Sequence, residues 1–192
     1  MDQLATLAFA MSELRREVVA LDDAELDIVS NCDPWTVLRL ASHALNNQLM
    51  WAGLVAGVET VTLEVSMGAV PYEGDLAAYA DEVAERSRAM WATPGALTAR
   101  HATPFGELPG SVVVSFPTID ALCHAWDLSA SLGRPLEFPP DSLPAVTAIV
   151  EATCTDDVRA LGLIQAVAAT APGASETDLL MARAGRSRPI PA

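Results

Sequence analysis

Residues 111–132 read Ser-Val-Val-Val-Ser-Phe-Pro-Thr-Ile-Asp-Ala-Leu-Cys-His-Ala-Trp-Asp-Leu-Ser-Ala-Ser-Leu, and Gly133 follows. This long apolar stretch predicts a helix that stops at Gly133, the kind of residue that ends helices in a left-handed conformation. Pro117 lies inside it and either kinks the helix or marks its true start, because proline lacks the N–H a helix interior needs. Asp120 and His124 stand four residues apart. On an α-helix such positions share one face, with Cβ atoms roughly 5–6 Å apart. One carboxylate oxygen and one imidazole nitrogen can then reach the same ion.

A second helix is expected from about Pro34 to Gly57, with Asp33 as N-cap and Pro34 in the first turn. His43 lies mid-helix, beside the apolar positions Leu40, Ala41 and Ala44. It completes a set with Asp120 and His124 if the two helices are neighbours. The bland alternatives stay open: a mid-helix histidine is commonly a hydrogen-bonded core residue, and an Asp-x-x-x-His pair is commonly an ion pair on a helix. Two such features on apolar helices strengthen the metal reading, since a buried carboxylate needs a counter-charge.

The remaining pattern is helical too. Leu7, Met11, Leu14 and Val18 form one face of a helix over about 4–21. Leu76, Tyr79, Ala80, Val83, Met90 and Trp91 do the same over about 76–91, ended by Thr93-Pro94-Gly95. A fifth helix is expected over about 142–161 and a short last one over 176–184. Residues 58–71 read as a connection with some extended structure, and 97–110, rich in Pro and Gly, as a hairpin-like or looped excursion. The fold class is therefore all-α: a helical bundle with short extra helices and a small loop or hairpin excursion, one domain over residues 1–192.

Composition agrees. Hydrophobic residues make up 51% and aromatics only 5%; the apolar share is largely Ala, Val and Leu, which suits close helix packing. The formal net charge is −14, which repels phosphate backbones and anionic lipid, so nucleic acid and membranes are not expected partners. All 11 basic residues are Arg, which excludes lysine Schiff-base chemistry and a P-loop. Cys32, Cys123 and Cys154 include no C-x-x-C pair and read as reduced thiols. With no secretory pattern or membrane-length apolar run, the expected location is cytoplasmic. The expected partner is a small-molecule substrate, and a homodimer is admitted.

Other residues carry weaker readings. His101 sits in the Pro/Gly-rich excursion and is expected to be exposed. Asp127, three residues after His124, either orients a ligand or merely pairs within the bundle, the commoner role. Trp35 and Trp126 read as packing. Trp51 and Trp91, near helix ends, are candidates for a pocket mouth, and Asn46 and Asn47 for polar pocket or solvated positions.

Three stretches together resemble a known family. They are Asn31-Cys32-Asp33-Pro34-Trp35-Thr36-Val37 with Ser42-His43, then Ile119-Asp120-Ala121-Leu122-Cys123-His124-Ala125-Trp126-Asp127-Leu128, and the closing Leu179–Arg188 segment with Gly185-Arg186. They resemble, in order, the DinB-like superfamily, in its actinobacterial branch related to the N-terminal domain of mycothiol-dependent maleylpyruvate isomerase. The resemblance implies a DinB-like four-helix bundle with a divalent metal held by His43, Asp120 and His124. Zinc is the default; nickel, iron(II) and manganese suit the same ligands. Three protein ligands leave positions open, the pattern of a catalytic site. A thiol at such a position is deprotonated and becomes nucleophilic at neutral pH. The expected activity is metal-dependent use of a low-molecular-weight thiol, mycothiol by resemblance, for transfer to or isomerisation of an electrophile. A metal-dependent hydrolase and a non-catalytic metal- or ligand-binding bundle are the alternatives.

Overall fold

The computed structural model describes residues 1–187, so Arg188 of the closing motif lies outside the described residues. Four long helices carry the fold: α1 (Gln3–Val19), α2 (Val37–Ala56), α4 (Leu76–Trp91) and α6 (Ser115–Ser131). Between them come α3 (Leu63–Ser66), the hairpin β1 (Arg100–Thr103) and β2 (Gly106–Pro109), and α5 (Gly110–Val113). After them come α7 (Leu143–Thr153), α8 (Asp156–Ala160) and α9 (Glu176–Arg183). Helix α1 packs on α4 and α6, and α2 packs on the same two, which closes a four-helix ring. The expected all-α bundle with short extra helices and a hairpin is what forms.

The long helices begin and bury as their periodicity requires. Asp2 caps α1 by accepting from the Ala5 N–H at 2.8 Å, and Leu7, Met11, Leu14 and Val18 are all buried. Asp75 caps α4 through the Ala78 N–H at 3.0 Å, and Leu76, Tyr79, Ala80, Val83 and Trp91 face the core. Gly57, at φ 69°, ends α2 as expected.

Three expectations need correcting, and the two readings of Pro117 are decided. Helix α2 starts three residues late, at Val37, with Thr36 rather than Asp33 as its cap. Residues 26–29 supply the reason: the N–H groups of Val37 and Leu38 donate to the carbonyls of Ile28 (2.9 Å) and Leu26 (3.0 Å), leaving 31–35 as a turn. Residues 58–71, expected as a connection with some extended structure, contain the short helix α3, which Thr62 caps through the Val65 N–H. The fourth helix is split at Val114 into α5 and α6, which puts Pro117 in the first turn of α6, where its missing N–H costs nothing. The expected 142–161 helix stops at Thr153, and Thr155 caps a separate α8 by accepting from the Val158 N–H.

The hairpin pairs antiparallel, Arg100 with Pro109 through Thr103 with Gly106. At its end Gly110 passes so close to the Ala96 carbonyl that a Cβ would fall 1.8 Å from that oxygen, so only glycine fits. Beyond the ring, α7 packs on α6 and α9 on α7. The Trp126 indole N–H donates to Asp178 at 3.0 Å and fastens α9 to α6. That contact carries the chain after α9 across the end of the bundle where α2 and α6 present their histidines. Among the described residues no helix is long and apolar enough to cross a membrane.

Candidate metal centre

His43 lies in the second turn of α2, and Asp120 and His124 lie one turn apart on the adjacent α6. The structure brings the three side chains together: one potential ligand atom from each lies within 4.8 Å of the others. Asp120 Oδ1 is 3.6 Å from His43 Nε2 and 3.4 Å from His124 Nε2. These separations are long for hydrogen bonds. Two donors about 2.0–2.1 Å from one ion at a tetrahedral angle stand about 3.3–3.4 Å apart, close to what is observed. Asp120 Oδ2 is buried with no hydrogen-bond partner, as a ligand oxygen without its ion would be. The donor set thus fits a divalent cation.

Both imidazoles have their other nitrogen engaged. His43 Nδ1 donates to the Ser66 carbonyl on α3. His124 Nδ1 donates to Asp127 Oδ2 at 3.0 Å. In the neutral ring each partner leaves Nε2 as the nitrogen with the free lone pair, on the side of Asp120.

The charges are coupled. Burial would raise the Asp120 carboxyl, but His124 foremost, and His43 with it, hold it well below the usual carboxylate range. Burial disfavours an imidazolium at His124, yet Asp120, and then Asp127, lift it well above the ordinary imidazole value. A cation held by these residues would take the place of that proton. Burial also opposes the Asp127 charge, and Arg186 and His124 outweigh it and keep the group ionised.

The histidines open onto a cavity of about 610 Å³. Its wall includes Trp35, whose ring lies 4.9 Å from that of His43, and Met67, Asn31, Gln165 and Arg186. Trp35 is thus a cavity wall as well as a packing residue. The other weaker candidates lie elsewhere. Trp51 and Trp91 are buried, not at a mouth. Asn46 is buried and accepts from the Tyr79 hydroxyl at 2.6 Å; Asn47 is buried too. His101 is half-buried, with Nε2 on the Ala96 carbonyl at 2.9 Å, rather than exposed. Cys123 is a core residue whose thiol burial pushes up to about 12, and Cys154 is half-buried. All three cysteines are free.

A second ligand set, Cys32, His124 and Asp127, is equally close-packed. Its chemistry is poor for a cation. Asp127 already accepts from four donors, one of them the Arg186 guanidinium, and the His124 nitrogen on that side carries the proton it donates.

The model of the mycothiol maleylpyruvate isomerase N-terminal domain family matches residues 7–129, more than half of the chain and all three residues of the centre. The chain belongs to this family. Relatives include an uncharacterized protein of Mycobacterium tuberculosis, found in strains H37Rv and CDC 1551, 32% identical over 113 residues. That alignment spans 57% of this chain and 56% of the relative, so the chain covers about half the length of these curated relatives. Among solved structures, the crystal structure of the mycothiol-dependent maleylpyruvate isomerase superposes with a TM-score of 0.60 at 22% identity, covering 78% of this chain and 68% of the other. A histidine-to-alanine mutant of it gives 0.60 at 21%. The superposition shows a shared fold, the DinB-like bundle expected from the sequence. The family match adds that His43 and the Asp120–His124 pair lie inside the family's own domain.

Sequence reasoning reached the three converging residues but not what surrounds them. The Ser66 carbonyl and Gln165 left no signal in the sequence. Asn31, Trp35 and Arg186 lay within the quoted motifs, but without a stated role in the site.

Proposed function

We propose that this protein is an enzyme that binds a divalent cation, zinc in the first instance, through His43, Asp120 and His124, and uses it to act with a low-molecular-weight thiol on an electrophilic small molecule. Mycothiol is the proposed thiol, on the strength of the family and of the mycothiol-dependent isomerase that superposes on this chain. The observation that carries the reading is the convergence of two imidazoles and one carboxylate at separations suited to one ion, with both imidazoles on the wall of a cavity of about 610 Å³.

A cation with three protein ligands supplies an open Lewis-acid position that favours the thiolate form of a bound thiol. The chain's residues divide the remaining work. Asp120 contributes the one negative charge among the ligands. Ser66 holds the His43 imidazole with Nε2 inward. Trp35 and Met67 give the cavity apolar surface. The side chains of Asn31, Gln165 and Ser187 offer hydrogen-bonding groups to the polar body of a thiol or substrate.

Cobalt(II) substitution tests this. Adding mycothiol to the cobalt protein is expected to produce a cobalt–thiolate charge-transfer band, absent in His124→Ala. No spectral change at saturating mycothiol or with simpler thiols would refute thiol use.

A further inference from the structure

Asp127 is the most heavily engaged side chain near the centre, and nothing in the proposed chemistry requires it. It has no exposed surface, and it collects donors from three separate parts of the chain. His124 Nδ1 donates to Oδ2 at 3.0 Å from the same helix. Asn31 Nδ2 donates to Oδ1 at 2.9 Å and the Cys32 thiol to Oδ2 at 3.3 Å, both from the turn before α2. Arg186 lies 3.2 Å from Oδ2, from the segment after α9. The backbone is held as well: Ser131 Oγ donates to the Asp127 carbonyl at 2.6 Å and accepts from the Asn31 N–H at 2.7 Å.

A carboxylate fixed by this many donors cannot follow the imidazole; the imidazole must follow it. We propose that Asp127 is the positioning residue of the centre: it fixes His124 as the Nδ1–H tautomer with Nε2 turned to Asp120, and Arg186, Asn31 and Cys32 hold it in place to do so. The proposal rests on the metal reading for its purpose, though the hold on the ring is a property of the metal-free protein. Arg186 supplies the counter-charge that a fully buried carboxylate needs. Through it, the segment after α9 is fastened to the helix that carries two of the three ligands. The turn before α2 is fastened in the same way through Asn31 and Cys32. The centre is thus assembled from pieces far apart in sequence, with Asp127 as their common point. His43 is positioned independently, by Ser66, and provides an internal control.

The test uses the whole chain, with wild type as reference and Asp127→Ala/Arg186→Met as the variant that removes the carboxylate without stranding a buried guanidinium. Nitrogen-15 NMR of the metal-free proteins, at a pH where the rings are neutral, reads the two tautomers. Zinc titration against a competing chelator reads affinity. In the reference protein both histidines are expected as Nδ1–H. In the double variant His124 is expected to lose that bias while His43 keeps it, and zinc affinity to fall about 10–100-fold relative to the reference. A general loss of structure would move His43 as well, so the internal control separates positioning from folding. If His124 keeps its tautomer in the double variant, the proposal is overturned. If the tautomer shifts as expected but wild-type protein binds no zinc, the positioning stands and the metal reading fails.

Discussion

Gly68→Ala tests how the chain after α3 seals the centre. Gly68 has φ +77°, a left-handed conformation that costs a residue with a Cβ about 1–2 kcal/mol. An added Cβ would lie 3.1 and 3.2 Å from two Trp35 ring carbons and 3.5 Å from the His43 Cβ. The ring contacts are tighter than ordinary packing, so Trp35 must give way, and overpacking of this kind adds about 1–3 kcal/mol. The expected total is about 2–5 kcal/mol. Gly57→Ala is the control: its φ of +69° carries the same conformational cost, but nothing lies within 4 Å of the new Cβ. Denaturant unfolding of the two variants beside wild type measures both losses. Gly68→Ala should lose more stability than Gly57→Ala, and it alone should weaken zinc binding, because Ser66, which holds His43, is two residues away on the same segment. Equal stability losses with unchanged zinc affinity in both would refute the idea that this segment is packed onto the centre.

Three further outcomes are expected. His43→Ala abolishes zinc binding while circular dichroism shows the helices intact, since the buried apolar faces and not the metal make the core; loss of helix on chelation would contradict this. Zinc at about 100 times its dissociation constant stabilises the wild-type protein by about 2.7 kcal/mol in thermal unfolding, and this gain is absent in His124→Ala. Burial pushes the Tyr79 phenol up to about 12, above its value in the unfolded chain. Its contribution to stability is therefore complete below about pH 10, fades toward pH 12, and can be followed by ultraviolet titration of phenolate formation.

Much of the fold is written in local periodicity. The Leu7–Val18 and Leu76–Val83 spacings give α1 and α4 directly, and Gly57 marks the end of α2. What local pattern misreads is where a helix yields to a neighbour. Asp33-Pro34 has the chemistry of a helix start, yet α2 begins at Val37 because the carbonyls of Leu26 and Ile28 take its first N–H groups. The long apolar run from 142 conceals a second cap at Thr155. At the centre, scarcity made the histidines legible: there are three in the chain, and the four-residue spacing of Asp120 and His124 put two ligand types on one helical face. The partners that orient the rings were not legible, because Ser66 reaches His43, and Arg186 reaches Asp127, only through the tertiary fold. Asp127 shows the difference: its spacing from His124 reads as an ordinary i,i+3 pair, while the three-dimensional structure surrounds it with donors from distant segments.

The central claim is that the cation is held by His43, Asp120 and His124. Zinc K-edge X-ray absorption of the zinc-loaded protein tests it most directly. The account predicts one zinc per chain, two imidazoles, and a first shell made only of nitrogen and oxygen at about 2.0–2.2 Å. A sulfur neighbour near 2.3 Å, the signature of Cys32 and the rival ligand set, would contradict it.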